Sequence, residues 1–199
     1  MSSPFTQFDA RDVRTLVAEH ALAWVLTPGA DIADASQLPL VGEYDDAGRL
    51  VALIGHLSRG NPLATSLAET RRAIILFSGP GGYVSPEHAG RRDWAPTWNH
   101  AHVKIAADIE INAVLTDHSL AVLIDAMEAE RAVPWNAGEI ADRSARLREQ
   151  IIGFRATVTA LEARFKLAQD ERPETLHNIL QNHPDRELVR WMQRFNAGR

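Results

Sequence analysis

Three side chains suited to binding an anion lie close together in the string Gly55-His56-Leu57-Ser58-Arg59-Gly60-Asn61-Pro62. Asn followed by Pro is typical of a helix start, with Asn61 as the capping residue. The backbone N–H groups of such a start, together with His56 and Arg59, are donors that suit a phosphate. The spacing therefore predicts an anion site where a strand leads into a helix. A surface arginine and a loop histidine without a ligand are the alternative that the residues leave open.

Aromatic and polar residues in the stretch 73–103 form a second candidate site. The apolar run Ile74 to Phe77 predicts a buried strand that ends at the turn residues 79–82, after which a second short strand begins at Tyr83. A long polar connection then leads to Trp98 in a new strand. Such connections are typical of a binding or contact role. A buried, purely structural Trp98 is the alternative.

Two of the eight histidines, His100 and His102, lie two positions apart in a predicted strand and so face the same side. With His88 or Asp108 they could converge on a metal ion, or they could line a pocket. No HExxH string supports a metal, and none is assigned. Phosphate-loop, dinucleotide-binding and nucleophile-elbow motifs are also absent. No residue is assigned as catalytic, and the sequence leaves open whether the chain is an enzyme.

Composition narrows the class of protein. A chain of 199 residues with 45% hydrophobic content suits one domain, or one domain with a helical appendix. The absence of cysteine excludes disulfides, thiolate metal ligands and a cysteine nucleophile. No apolar run approaches the roughly 20 residues of a membrane span, and the polar start is unlike a signal peptide, so we expect a cytoplasmic protein with no membrane partner. The net charge of −5 disfavours duplex DNA binding.

Short strands and amphipathic helices must position these residues. Asp45 to Gly48 is typical of a hairpin turn, so the flanking strands Leu38–Tyr44 and Leu50–Gly55 are expected to pair antiparallel. The other predicted elements are a helix from Asp9 to about Ala21, a strand Leu22–Leu26, a helix from Asn61 to about Glu69, a strand Val103–Ile111, a helix capped at Thr116-Asp117, a helix from Glu139, a strand 152–166 and two terminal helices that meet at Pro184.

Six short motifs follow one another along the chain. They are Leu38-Pro39-Leu40, the string 55–62, the segment Phe77 to Pro86, Pro96-Thr97-Trp98-Asn99, Ile152-Gly153-Phe154 and Lys166-Leu167-Ala168-Gln169. In this order they resemble the motifs of the FMN-binding negative transcriptional regulators, the PaiB-type family, over nearly the whole length. The resemblance implies an α+β fold, an antiparallel split β-barrel like that of pyridoxamine-phosphate oxidases, with flanking helices and a C-terminal helical hairpin. We expect residues 1–170 to form the barrel domain and 171–199 a helical extension packed on the barrel or on a dimer partner.

The resemblance also implies a homodimer that binds FMN at its interface. Carried over by position, His56, Arg59 and Asn61 would lie near the phosphate or ribityl chain of FMN. Ser78, Tyr83 and Ser85 would lie nearby. Trp98 and Asn99 would wall the isoalloxazine ring, and Lys166 and Gln169 would complete the far side.

The chain departs from the family pattern at several of these positions. Glu87, His88 and Ala89 stand where the family commonly has a small residue, Trp and Tyr, so two aromatic rings for stacking are missing. His100 replaces a tyrosine, Lys104 replaces a histidine, and the string ending Ala168-Gln169-Asp170 has a methyl and a carboxylate in place of a hydroxyl and an amide. Because a carboxylate near a phosphate opposes binding, we expect FMN affinity to be weakened or lost.

The resemblance implies a PaiB-type FMN-binding protein that regulates transcription or senses flavin. A flavin-dependent oxidoreductase acting on a small molecule in the same pocket is the alternative. DNA is a partner by family resemblance only, because the acidic composition argues against it.

Overall fold

The computed structural model describes residues 3–29 and 31–198, apart from the side chains of residues 33, 141 and 142. Its six strands form a closed antiparallel barrel in the order β1-β2-β3-β6-β5-β4. They are β1 Leu22–Leu26, β2 Ala35–Tyr44, β3 Leu50–Ser58, β4 Arg72–Val84, β5 Thr97–Asn112 and β6 Ile151–Lys166. The α+β barrel expected from the sequence is confirmed.

The α-helices of the described residues occur between the strands and at the C-terminal end. They are α1 Ala10–Glu19, α2 Pro62–Thr70, α3 Pro86–Ala89, α4 Val114–Glu128, α5 Ala141–Glu149, α6 Pro173–Asn182 and α7 Arg186–Phe195. Short 3-10 helices occur at Pro4–Thr6, Ile32–Asp34 and Ala137–Ile140. None of the helices in this part of the chain is both long and apolar enough to cross a bilayer.

The chain divides into two compact units, which we call the α1 unit (residues 10–77 and 104–162) and the α7 unit (residues 1–9, 78–103 and 163–199). In the α1 unit, helix α1 buries Val13, Leu16 and Val17 at helical spacing and contacts β2 and β3. Strands β2 and β3 pair antiparallel across the Asp45 to Gly48 turn, as the sequence predicts. The positive φ of Gly48, 77°, is the conformation for which this turn needs glycine.

The core of the α7 unit is aromatic. The ring of Phe165, from β6, stacks on Trp191 at 6.1 Å and on Phe195 at 4.8 Å between centroids, both from α7. His183, between α6 and α7, is buried, and its Nε2 is 3.1 Å from the carbonyl oxygen of Tyr83 in β4. The expected helical pair is thus present and held by ring packing. The proposed domain boundary at residue 170 stays a prediction.

Two strands are longer than the sequence predicts. The turn expected at residues 79–82 is wrong, because β4 continues through the Gly-Pro-Gly-Gly run to Val84. Glycine is tolerated within the strand here, and a Cβ at Gly81 would only reach van der Waals contact, 3.4 Å, with the Cβ of His100. Likewise β5 is continuous from Thr97 to Asn112 rather than beginning afresh at Val103.

One helix start also differs from the prediction. Helix α4 begins at Val114, before the expected cap at Thr116-Asp117. The side-chain oxygen of Asn112 accepts the N–H of Leu115 at 3.1 Å, and the hydroxyl of Thr116 accepts the N–H of Gly153 at 3.1 Å. Thr116 therefore joins the helix to β6 instead of capping it. The helix expected from Glu139 begins as a 3-10 turn at Ala137 and continues as α5.

Candidate functional site

His56 lies near the end of β3 and is half-buried, opposite Gly153 of β6. Its Nδ1 is buried, and no group among the described residues forms a hydrogen bond with it. Burial lowers the pKa of the His56 imidazole from its ordinary 6.5. The ring is therefore neutral at neutral pH, and its buried Nδ1 is a polar atom that the fold leaves without a hydrogen bond.

Arg59 follows β3 directly and is exposed. Its backbone N–H donates to the carbonyl of Gln150 at 2.9 Å, and its Nε donates to the carbonyl of Glu149 at 3.2 Å. No carboxylate in the described part of the chain forms an ion pair with it, so its charge is uncompensated. Backbone and side chain together fix a cation at the exit of the strand, where the sequence predicts an anion site.

Asn61 has the capping role that the sequence predicts. Its Oδ1 accepts the N–H of Leu63 at 3.0 Å at the start of α2, and its Nδ2 donates to the hydroxyl of Ser36 at 2.9 Å. Both ends of the amide are thus engaged in holding the turn. The expected contact between Asn61 and a cofactor stays a prediction.

In the α7 unit, Tyr83 of β4 and Trp98 of β5 form an edge-to-face pair with ring centroids 5.9 Å apart. Both rings face solvent, with 46% and 62% of their surfaces exposed. Large exposed rings on neighbouring strands are a ready surface for a flat ligand. The alternative of a buried Trp98 is therefore wrong.

Cationic and titratable groups lie on the same unit. Lys166 of β6 bonds to the hydroxyl of Thr97 and lies 5.9 Å from the centroid of the Phe5 ring, and Arg164 lies 5.1 Å from that centroid. Burial, followed by the charges of His102, Arg164 and Lys166, lowers the pKa of the His100 imidazole. An anion beside these groups would be attracted to the charges of Lys166 and Arg164.

Sequence reasoning missed three of these residues. Thr97 positions the amine of Lys166, while Phe5 and Arg164 lie close to it. Arg164 was detectable, because it is two positions from Lys166 in a predicted strand and therefore shares its face. The contact with Phe5 spans most of the chain and left no local signal.

The rings of His100 and His102 stack nearly parallel, 5.3 Å between centroids and 14° between planes. They do lie on one face, as their spacing predicts. Stacked in this way, the two imidazoles can together form one wall of a pocket, which is one of the two roles that their spacing allows.

Of the remaining predicted residues, one is exposed to solvent and three have side chains that bond within the protein. Ser78 is exposed on β4. Ser85 caps α3, its hydroxyl accepting the N–H of Glu87 at 3.1 Å. Asn99 is buried, with Nδ2 at 3.2 Å from the sulfur of Met192, and the side chain of Gln169 bonds to the backbone of Phe165 and Leu167. These last three side chains stabilise the unit in which they lie.

Comparison with known proteins defines the class to which this fold and these residues belong. Residues 1–160 match the family described as "Putative FMN-binding domain", and the chain belongs to that family. The match ends before Lys166 and Gln169. A curated relative, protease synthase and sporulation protein PAI 2 of Bacillus subtilis, is 24% identical over 192 residues, covering 92% of this chain and 88% of the relative.

Solved structures of similar fold include flavin proteins. The FAD and heme binding protein from Mycobacterium smegmatis has a TM-score of 0.57 and 15% identity, covering 86% of this chain and 78% of its own. The flavocytochrome Anf3 from Azotobacter vinelandii has a TM-score of 0.53 and 16% identity, covering 80% and 68%. The chain is a flavin-binding split-barrel protein, and FMN is its cofactor.

The residues present fit such a cofactor. In the α1 unit, a buried imidazole nitrogen without a partner lies on the chain segment that carries the uncompensated guanidinium of Arg59. In the α7 unit, exposed aromatic rings accompany cations. Donors for a phosphate and faces for a flat ring are the two kinds of group that FMN requires.

Proposed function

We propose that this protein is a PaiB-type regulatory flavoprotein, which senses FMN or its redox state and regulates transcription in response. The observation that supports this most is the family match over residues 1–160, together with, among the described residues, the unpartnered Nδ1 of His56 and the unpaired positive charge of Arg59. The Bacillus relative, named for protease synthase and sporulation, favours a regulatory role over a metabolic one.

We assign the cofactor contacts to side chains whose polar groups, charges or rings are not all engaged within the protein. As the family resemblance assigns them, His56 and Arg59 take the phosphate end of FMN, and Ser78, which is exposed, stays assigned near the phosphate or ribityl chain. The exposed rings of Tyr83 and Trp98, with Lys166, are assigned to the ring system. Asn61, Ser85, Asn99 and Gln169 act by holding the backbone in place, since their polar groups are already bonded. When bound, FMN supplies a ring that accepts and returns electrons.

Weakened affinity is part of the proposal. Glu87, His88 and Ala89, at the positions where the family commonly has two aromatic residues, belong to the short helix α3. The Nδ1 of His88 accepts the N–H of Ser85 at 3.2 Å, and Ala89 is buried. The His88 ring packs edge to face on His183, with 4.9 Å between centroids, so it is already engaged within the protein, and Glu87 and Ala89 carry no aromatic ring. Asp170 is exposed and adds a negative charge near the end of β6.

Titration of the purified protein with FMN tests this function. We expect quenching of flavin fluorescence, a shifted visible absorption band and a rise in melting temperature that saturates with FMN, since a ligand bound only by the folded state stabilises it. Riboflavin, which has no phosphate, is the matched control and should bind more weakly. No spectral change and no stabilisation at any FMN concentration would refute the proposal.

We also propose that the protein acts as a homodimer. On the outer face of β1 and β4, Trp24 lies opposite Leu76 and Leu26 opposite Ile74. Trp24 and Ile74 are 45% and 36% exposed, and Leu22 on the same side of β1 is 54% exposed. Contiguous apolar side chains on a sheet face are typical of an interface. Light scattering coupled to gel filtration measures the mass directly.

The neutral imidazole of His56 favours a second candidate function, that of a flavin-dependent oxidoreductase acting on a small molecule. A half-buried neutral histidine beside a flavin is able to take or give a proton during turnover. Reduction of the bound flavin by NADH or NADPH, followed by reoxidation with an added acceptor, would support this function. Flavin that binds but is never reduced would favour the sensor.

Binding to DNA follows from the proposed regulatory role. The net charge of −5 predicts low affinity and steep salt dependence. A gel shift with the protein's own upstream region, with and without FMN, tests it. No shift at low salt in either state would remove DNA from the proposal.

A further inference from the structure

A cavity of about 260 Å³ in the α1 unit has no role in the proposed flavin site. It lies between helix α1, strand β2 and the last turn of α4. Each of these elements contributes lining residues, among them Arg14 from α1, Tyr44 from β2 and Met127 from α4. Its size suits a small organic molecule. The residues that form it belong to none of the six family motifs except at Leu40.

Arg14 provides the charge in this cavity. Its guanidinium carbon lies over the Tyr44 ring, 4.8 Å from the ring centroid, which is a cation–π contact. In the described part of the chain no carboxylate forms an ion pair with Arg14, whereas Arg49 pairs with Asp45 at 2.8 Å and Arg155 pairs with Glu43 at 2.7 Å. The N–H edge of Arg14 is therefore available to an anion.

Tyr44 is held where its hydroxyl serves the same cavity. A Cβ at Gly42 would lie 2.4 Å from the Tyr44 Oη and 2.8 Å from Leu50 Cδ1, so a larger residue there would require the Tyr44 ring and the Leu50 side chain to move. Burial raises the pKa of the Tyr44 hydroxyl, although the charge of Arg14 opposes the shift. The group stays a hydrogen-bond donor at neutral pH, and no described residue accepts from it.

The rest of the lining is apolar. Val17, Leu40, Val41 and Met127 contribute branched and thioether side chains, and Ala18 and Ala21 leave width between helix and strand. Arg14 and Ala18 also line a neighbouring cavity of about 550 Å³ that contains Arg11 and Glu19. The guanidinium thus stands between an apolar hollow and a more polar one, which is the arrangement that an amphiphilic anion needs.

We propose that this cavity binds a small carboxylic acid with a flat apolar body. The carboxylate accepts from the guanidinium of Arg14 and the hydroxyl of Tyr44, and the body lies against Val17, Val41 and Met127. A guanidinium with a free N–H edge and an adjacent hydroxyl match the planar, two-oxygen geometry of a carboxylate. The site is independent of flavin and would give the protein a second ligand.

The probe for the test is 2-naphthoate, with 2-naphthalenemethanol as the neutral analogue of the same ring. The chain has three methionines, and ¹³C labelling of their methyl groups gives separate reporters. We expect 2-naphthoate to shift the Met127 signal with saturation, and to leave Met192, which is buried in the α7 unit, unchanged. The alcohol should bind at least tenfold more weakly, since it lacks the charge.

Variants of two arginines on one helix separate this site from nonspecific binding. Arg14→Gln should weaken 2-naphthoate roughly tenfold, and Tyr44→Phe should weaken it by a smaller factor. Arg11→Gln, which alters only the neighbouring cavity, should leave the affinity within about twofold. All three variants should bind FMN as the unaltered protein does.

Three outcomes would overturn the proposal. They are equal affinity for the acid and the alcohol, equal affinity in the Arg14 and Arg11 variants, and no saturable shift of Met127 up to about 1 mM acid, the weak end of specific binding. The acid-to-alcohol comparison uses the unaltered chain and so stands even if a variant fails to fold.

Discussion

Tyr83 and Trp98 meet edge to face at 5.9 Å on adjacent strands of the α7 unit, and both remain open to solvent. Keeping two large aromatic rings exposed is unfavourable unless a ligand or partner covers them. Each ring holds the other in one orientation, so the surface that they present is already in place before a ligand arrives.

Removing the indole should therefore weaken cofactor binding. Trp98→Ala should lower FMN affinity roughly tenfold, because one stacking surface is lost. Flavin fluorescence quenching measures this loss. Trp135, which is 37% exposed in the α1 unit and is assigned no ligand, supplies the matched variant Trp135→Ala. An equal loss of affinity in both variants would contradict the role of Trp98.

The Arg59→Ala variant should distinguish the contribution of the FMN phosphate to binding from that of the flavin ring. FMN affinity should fall by roughly ten- to a hundredfold, the cost of a charged hydrogen bond, whereas riboflavin affinity should stay constant. Arg49→Ala, which removes an exposed cation that already pairs with Asp45, is the control. If Arg59→Ala weakens both flavins equally, Arg59 acts on the fold and does not contact the phosphate.

Asn61→Ala should change stability more than binding. Loss of the helix cap lowers the unfolding free energy by about 1 kcal/mol, and loss of the bond to Ser36 adds to it. Asn61→Asp keeps an oxygen for the cap and should recover part of the stability. Urea unfolding measures the unfolding free energies of the variants. If the Asn61→Asp variant loses as much FMN affinity as Arg59→Ala, Asn61 contacts the cofactor directly.

Stability should also depend on pH through two half-buried imidazoles. The folded chain lowers the pKa of His56 by burial, and that of His100 by burial and by the neighbouring charges of His102, Arg164 and Lys166. The unfolded chain therefore takes up protons near pH 6.5 that the folded chain does not, and the unfolding free energy falls as pH drops below about 6.5.

Urea unfolding between about pH 7 and 5 measures this dependence. His100→Gln should flatten the slope, because it removes one group whose protonation the fold resists. His118→Gln, a change at an exposed histidine of α4, is the comparison. A slope that is the same in both variants would show that His100 does not carry the effect.

The proposed dimer predicts that Trp24→Glu yields a monomer. A carboxylate placed among Leu22, Ile74 and their neighbours would have to be desolvated in the interface. Val114, which is 86% exposed on α4, gives the control Val114→Glu. The light-scattering mass should halve only for Trp24→Glu, and an unaltered protein that is already a monomer would end the proposal.

The sequence by itself determined the features that depend on neighbouring residues. The Asp45 to Gly48 turn, the Asn61-Pro62 helix start and the apolar stripe of α1 follow from local hydrogen bonding and from helical or strand periodicity, and the structure has all three. The order of the family motifs determined the barrel and the cofactor, and the five motifs before Lys166 lie within the 160 residues that match the FMN-binding family.

Tertiary structure alone decided which predicted residues are free to bind a ligand. Asn61, Ser85, Asn99 and Gln169 look like ligand residues by type, but hydrogen bonds within their own units engage them. By contrast, in the described part of the chain Nδ1 of His56 has no hydrogen-bond partner, and the charge of Arg59 is not paired with a carboxylate. The tertiary structure also decided where β4 ends. The strand continues through Gly79 to Gly82, where turn residues predicted its end, because pairing with neighbouring strands outweighs local conformational preference. The cavity at Arg14 arises from three elements far apart in the chain, and so no local pattern marks it.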